Sequence, residues 1–305
     1  MSTAIAPILD AAPDLLIVQG DTSSALGGAR AAAAAGVPVA HVEGGLRTRD
    51  PALPWPEEEY RTEIDAIANL LFAPTELSAF NLACERVGGR VYVTGNTGID
   101  ALHSVISELP GRAVHDRALP RALVTCHRRE SWGDGVDSVA AAVHQLAASG
   151  TLWADVIVPP NRHVATILTE RLRGCPNLEL LEPCSHRELV RRMRDSDLIL
   201  SDSGGMQEEA PALGVPLLVL REKTERPEGI ATGNMRLVGT CKDRITAETG
   251  RLLTDPAAYA AMSRPAHPYG DGNAAPRIAS IIEEWLKQDG YAGRRLFTRL
   301  GGSRC

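Results

Sequence analysis

The chain has 305 residues, 44% hydrophobic and 23% charged, which is ordinary material for about two globular domains. Its formal net charge of -6 argues against a nucleic-acid partner, whose phosphates ask for a basic face. No stretch approaches the roughly 20 apolar residues of a membrane span, and residues 1–12 have no basic run and carry Asp10, so neither a membrane partner nor a signal peptide is expected and the expected location is cytoplasmic.

A first strand is predicted at 15–19, running into Gly20, Asp21 and Thr22, with a helix over 23–35. A second strand at 37–42 ends on Glu43, which opens Glu-Gly-Gly-Leu-Arg-Thr. Pro54-Trp55-Pro56-Glu57-Glu58 leads into a helix over 57–69. Strands at 70–73 and 91–94 and helices at 76–86 and 99–108 follow. The alternation breaks over 109–120, and a domain junction is expected near 102–120. A fresh strand at 122–126 runs into His127, Arg128, Arg129 and Glu130. Further strands are predicted at 156–158, 178–181, 198–201, 217–220 and 237–238, and helices at 136–149, 163–173, 187–194, 247–253 and 278–287. The tail past Gln288, with Arg294, Arg295, Arg299 and Arg304, shows little apolar pattern and is expected to be loose. Such alternation gives an α/β protein with doubly wound parallel sheets, and continuously apolar strands suit sheets covered on both faces. The six cysteines form no Cys-x-x-Cys pair and are expected as reduced, mostly buried thiols.

Asp21 and Glu43 each follow a predicted strand, where open parallel sheets bind ligands. Taken singly, Asp21 reads as a helix cap and Glu57 as a charge favouring a helix N-terminus. Together, three carboxylates at one rim would repel one another unless a ligand, cation or proton relieves them, which points to acid/base chemistry. Ser203-Gly204-Gly205 lies between a strand and a helix and reads either as an anion cradle or as a plain turn with Ser203 as N-cap. Glu208 or Glu209, one turn further in, suits ribose hydroxyls. His127 suits proton transfer or phosphate binding, and Arg128 and Arg129 suit diphosphate neutralisation. Arg226, in Thr-Glu-Arg-Pro-Glu over 224–228, reads equally as a phosphate or sugar ligand and as a salt-bridged loop residue. His163 and His186 read as surface residues, and no metal-ligand constellation is present in the sequence.

With these residues on the page, the chain resembles the bacterial UDP-N-acetylglucosamine 2-epimerases of the non-hydrolysing type. The resemblance rests on Gln19-Gly20-Asp21-Thr22, residues 41–48 and 54–58, Thr94-Gly95-Asn96-Thr97, residues 127–130, 203–211 and 224–228, and Tyr269-Gly270-Asp271-Gly272, in family order over 14–285. It implies a glycosyltransferase-B fold of two Rossmann-like domains: 1–103, completed by a C-terminal helix at 276–289, and a UDP-binding domain at 104–275. The nucleotide sugar is expected in the interdomain cleft. It implies reversible conversion of UDP-GlcNAc to UDP-ManNAc through elimination and re-addition of UDP, without cofactor, metal or nicotinamide, in a homodimer. Carried over by match, Asp21, Glu43 and Glu57 are the catalytic carboxylates. His127 is a catalytic or diphosphate-contacting group. Ser203, Gly204, Gly205 and Glu209 hold UDP, with Glu209 on the ribose.

Two departures shape the expectations. The family opens with a further strand-helix-strand stretch of roughly 70 residues, including Gly-Thr-Arg-Pro-Glu, and its first strand is central to the sheet. Without it the first domain is incomplete, and an unpaired edge at 15–19, low stability and weak or no epimerase activity are expected. At 158–163 (Val-Pro-Pro-Asn-Arg-His) the turn is shorter than the family's, and the histidine of an activating second UDP-GlcNAc site is displaced or lost. A hydrolysing 2-epimerase releasing ManNAc and UDP is the first alternative, and a catalytically degenerate UDP-sugar-binding homologue the second. A glycosyltransferase would leave the early carboxylates without a use.

Overall fold

Ten short runs dominated by leucine, valine and isoleucine form parallel strands in the computed structural model, which describes residues 13–111, 118–128 and 132–288 together with Ile5 and Leu9. The chain divides into two units, one of Met1–Asp100 with Gly270–Cys305 and one of Ala101–Tyr269.

The first unit runs β1 (Leu16–Gln19), α1 (Ser23–Ala34), β2 (Val39–Val42), α2 (Glu57–Ile67), β3 (Leu70–Ala73), α3 (Glu76–Glu85), β4 (Arg90–Val93) and the start of α4 (Thr97–Glu108). Its four parallel strands lie in the order β1-β2-β3-β4. One face packs Val18, Val39 and Leu71 against Leu26, Ala29 and Ala32 of α1 and Ile64 of α2. The other face, Ala40, Val42, Leu70 and Phe72, is covered by Ile278 and Trp285 of a late helix at Ala274–Gln288. Asp100 caps that helix, accepting from Ala274 N at 3.0 Å and Ala275 N at 2.8 Å. The inner strands β2 and β3 are therefore fully buried, whereas the edge strands β1 and β4 are half-exposed, with Ile17 at 54%.

The second unit continues with β5 (Arg121–Thr125), α5 (Asp134–Ala148), β6 (Trp153–Ile157), α6 (Arg162–Leu172), β7 (Leu178–Leu181), α7 (His186–Asp195), β8 (Leu198–Ser201), α8 (Gly204–Leu213), β9 (Leu217–Val219), α9 (Glu228–Ala231), β10 (Met235–Leu237), α10 (Lys242–Thr254) and α11 (Pro256–Met262); the late helix of the first unit is then α12. Its sheet has the order β10-β9-β8-β5-β6-β7. The chain order reverses between β5 and β8, and the crevice past their carboxyl ends is where such sheets bind ligands. The register Thr125↔Ser201 brings the segments at His127 and Ser203 out side by side there.

The strand expected at 156–158 begins at Trp153, because Asp155 sits inside it. That buried carboxylate accepts from Arg121 at 2.6 and 2.7 Å and from the Trp153 indole at 3.0 Å. The helices α9 and α11 lay outside the sequence expectation. Among the described residues no helix is long and apolar enough to cross a membrane, and no group of three or more His, Cys, Asp or Glu is placed to hold a metal ion. The described cysteines are free, but only Cys126 and Cys175 are buried as expected, whereas Cys84, Cys184 and Cys241 are exposed; Cys305 and the arginine-rich tail lie outside the described residues.

Candidate active site

Parallel pairing of Gln19 with Val42 puts Asp21 and Glu43 at the carboxyl ends of adjacent strands. Glu43 has φ 76, a left-handed conformation uncommon and strained outside glycine. Its N–H and that of Gly44 both donate to the Phe72 carbonyl, at 3.0 and 3.1 Å, which fixes the turn. The glutamate reaches over Gly20: its Oε2 lies 3.6 Å from where a Cβ there would stand. Asp21 accepts from the Arg61 guanidinium of α2. Glu57 begins that same helix one turn earlier, in an acidic first turn that suits the positive end of the helix dipole. All three carboxylates are half-buried. Asp21 and Glu43 thus leave the ends of paired strands, and Asp21 is tied to the helix that starts with Glu57.

A buried polar network holds the loop that carries Glu43. His41 is fully buried; its Nδ1 lies 2.6 Å from Asp65 Oδ1 and its Nε2 3.1 Å from the Gly20 carbonyl oxygen. Asp65 Oδ2 accepts from Gly45 N at 3.1 Å and from Arg47 at 2.7 Å. Arg47 also donates to Glu85 at 2.6 and 2.7 Å, and Glu58 accepts from Thr48 N at 3.0 Å and Arg49 N at 2.7 Å. Burial pushes the Asp65 carboxyl up, but His41 and Arg47 together outweigh it and hold the group below its usual range. Asp65 and Glu85 escape sequence reasoning because both sit inside helices, where a charge reads as solvent-facing.

In the second unit Ser203 is the N-cap of α8, yet its hydroxyl makes no capping hydrogen bond, so first-turn N–H groups are left for another acceptor. A Cβ on Gly204 would lie 2.9 Å from Arg226 Nη1 and 3.3 Å from Arg128 Nη2. Two guanidinium groups therefore flank the helix tip. Arg226 meets both readings made from sequence: it faces the tip while donating to Glu208 at 2.6 Å and pairing with Glu225. Tyr269 steadies its backbone, donating to the Arg226 carbonyl at 2.9 Å.

Asp202, fully buried, accepts from His127 N and Arg128 N at 2.8 Å each, and its Oδ1 lies 3.1 Å from His127 Nδ1. It orients both candidate groups, a role that sequence reasoning missed. Burial pushes its carboxyl up, but His127 and the two N–H groups outweigh it and hold it low. Next to His127 a cavity of about 220 Å³ opens along Ile157, Pro159 and Pro183.

Glu208 is taken by Arg226, whereas Glu209 pairs with His186, whose Nε2 lies 2.8 Å from Glu209 Oε1. His186, read from sequence as an ordinary surface residue, is a partner of a candidate site carboxylate. Burial outweighs that histidine and pushes the Glu209 carboxyl up. His163 lies in the first turn of α6, whose cap is Asn161, with its ring edge-on to Trp132 at 6.4 Å. Arg129 and Glu130 lie outside the described residues.

A family model described as UDP-N-acetylglucosamine 2-epimerase matches residues 1–283. The chain is 44% identical to the UDP-N-acetylglucosamine 2-epimerase of Escherichia coli over 287 residues, 89% of this chain and 76% of that protein. It is 43% identical to the probable UDP-N-acetylglucosamine 2-epimerase of Ralstonia nicotianae over 303 residues, covering 93% and 80%. Among solved structures, the UDP-GlcNAc 2-epimerase from Neisseria meningitidis bound to UDP-GlcNAc matches with a TM-score of 0.89 at 36% identity, over 93% of this chain and 80% of that one. The Methanocaldococcus jannaschii UDP-GlcNAc 2-epimerase in complex with UDP-GlcNAc and UDP matches with a TM-score of 0.82 at 30% identity, over 93% and 79%.

Proposed function

The chain belongs to the UDP-N-acetylglucosamine 2-epimerase family, and from that premise we propose that it interconverts UDP-GlcNAc and UDP-ManNAc by eliminating UDP across C1–C2 and adding it back. The protein is an epimerase with two parallel-sheet units of the glycosyltransferase-B type. In the forward step a carboxylate takes the C2 proton, the electron pair forms the C1–C2 double bond, and the C1–O bond breaks to release UDP. UDP then adds back at C1 and a proton returns to C2 on the opposite face. No net oxidation occurs, so the chemistry proposed calls on no redox cofactor.

Asp21, Glu43 and Glu57 supply the proton acceptor and donor for the two faces of C2. His127, Arg128, Arg226 and the α8 tip hold the diphosphate while it is unbonded, and Glu209 takes the ribose. The observation that carries this reading is the turn at Glu43: a strained residue, locked by its neighbours, that sets its carboxylate over Gly20, the residue before Asp21.

The test is incubation of UDP-GlcNAc with the protein in heavy water. The expected result is UDP-ManNAc together with deuterium at C2 of both sugars. Binding of UDP without any C2 exchange overturns the proposal, and free ManNAc with UDP as the products turns it into the hydrolysing reaction.

The cradle is testable separately. In Gly204→Ala the new methyl must displace an Arg226 guanidinium that Glu208 and Glu225 hold in place. UDP affinity by calorimetry is expected to fall about tenfold or more, or roughly 1.4 kcal/mol. Gly250→Ala on α10, where the methyl meets nothing within 4 Å, is the control that leaves affinity unchanged.

A further inference from the structure

Arg61 is 2% exposed, on α2. It donates from Nη2 to Asp21, and its Nη1 forms an ion pair with Glu58 Oε2 at 3.4 Å. Its Nε and Nη1 find no hydrogen-bond acceptor among the described residues. Stability gives a poor account of such a residue. Desolvating a guanidinium is costly, and replacing a whole buried ion pair by apolar side chains of similar volume is often neutral or stabilising. Each buried donor left unsatisfied adds about 1–3 kcal/mol to the cost. Local rules broken in this way mark functional sites.

The same guanidinium joins three segments of the acid cluster. Asp21 is bound directly. Glu58, its second partner, accepts from Thr48 N and Arg49 N at the far end of the loop that opens with Glu43. Arg49 is itself in a left-handed conformation, φ 59, which that carboxylate helps to hold. Glu57 precedes Glu58 and lies one helical turn from Arg61 on the same helix. A cation at this junction also opposes the mutual repulsion of the acids.

We propose that Arg61 is the positioning residue of the acid cluster, fixing Asp21 directly and, through Glu58, the loop of Glu43 against the start of α2. This rests on the reading of those acids as the acid/base groups. Loss of such alignment costs on the order of 100-fold in rate.

The experiment compares Arg61→Met and Arg61→Lys with the wild type for turnover of UDP-GlcNAc, UDP affinity, melting temperature and C2 deuterium exchange. The expected result is a kcat and exchange rate about 100-fold lower in both variants, with KM and UDP affinity at wild-type values. Arg61→Met is expected to melt below the wild type, because the buried Glu58 and half-buried Asp21 lose their cation, whereas Arg61→Lys keeps the charge and is expected to melt close to it. Combining Arg61→Met with Asp21→Asn should cost less than the product of the two single losses, since part of the Arg61 effect acts through Asp21.

Turnover by Arg61→Met within about threefold of wild type, or full multiplication of the two losses in the double variant, overturns the proposal. Absence of C2 exchange in the wild type overturns the parent reading and this one with it. Active wild type with an unimpaired Arg61→Lys overturns this one alone.

Discussion

Glu43→Gln is expected to lower epimerisation by about 10²–10⁴-fold, the usual loss when a positioned general acid or base is removed. Glutamine keeps the length and planar head of the side chain and meets the same left-handed backbone, so the turn over Gly20 is retained. What disappears is the ability to take or give a proton. UDP affinity should not change, because the groups assigned to UDP belong to the second unit. Rate measurement with paired calorimetry checks the result, and a variant that exchanges the C2 proton at near wild-type speed would remove Glu43 from the chemistry.

Asp65→Ala is expected to destabilise the first unit by about 3–5 kcal/mol, as removal of one partner from a buried charged pair does. The carboxylate has no solvent exposure and serves His41, Gly45 N and Arg47 together. Without it the Gly45 N–H loses its acceptor and Arg47, 3% exposed at its side chain, keeps only Glu85 and the Leu46 carbonyl. Melting of that unit should drop by about 10 °C or more. The sign of the pH dependence follows from the direction of the shift. A carboxyl held low in the folded state contributes stability above its unfolded value, near 3.9, and loses it as pH falls toward the folded value. The gap between wild type and Asp65→Ala should therefore be full at pH 7 and shrink below about pH 4. A gap that is constant from pH 7 to pH 3 would show that the ionised carboxylate contributes nothing to folding.

Much of the fold is legible in the residues because the inner strands are uninterrupted apolar runs. Leu198–Ser201 and its partner 122–125 are two such runs, both buried. Legibility fails where a buried polar residue interrupts a run. Asp155 hides the first half of β6, and its arginine partner stands 34 residues away. It also fails for short helices, although Asp255 before Pro256 is a usable start signal: its side chain accepts from Ala257 N and Ala258 N.

At the site, the acids that directly follow strands could be named from sequence, as could the glycine turn at the head of α8. Arg61, Asp65, Asp202 and His186 could not be given a role. Each is defined by a partner between 18 and 75 residues away, and that distance is set only by topology.

The helix Ala274–Gln288 is made late yet covers a sheet face built from Ala40, Val42, Leu70 and Phe72. During synthesis that face waits for some 200 further residues, on the order of ten to forty seconds at the usual pace of translation. The second unit, drawn from one continuous stretch, has all of its own residues before then. The nascent first unit accordingly spends this interval with an uncovered greasy surface, the period in which a chaperone at the ribosome exit has most to protect.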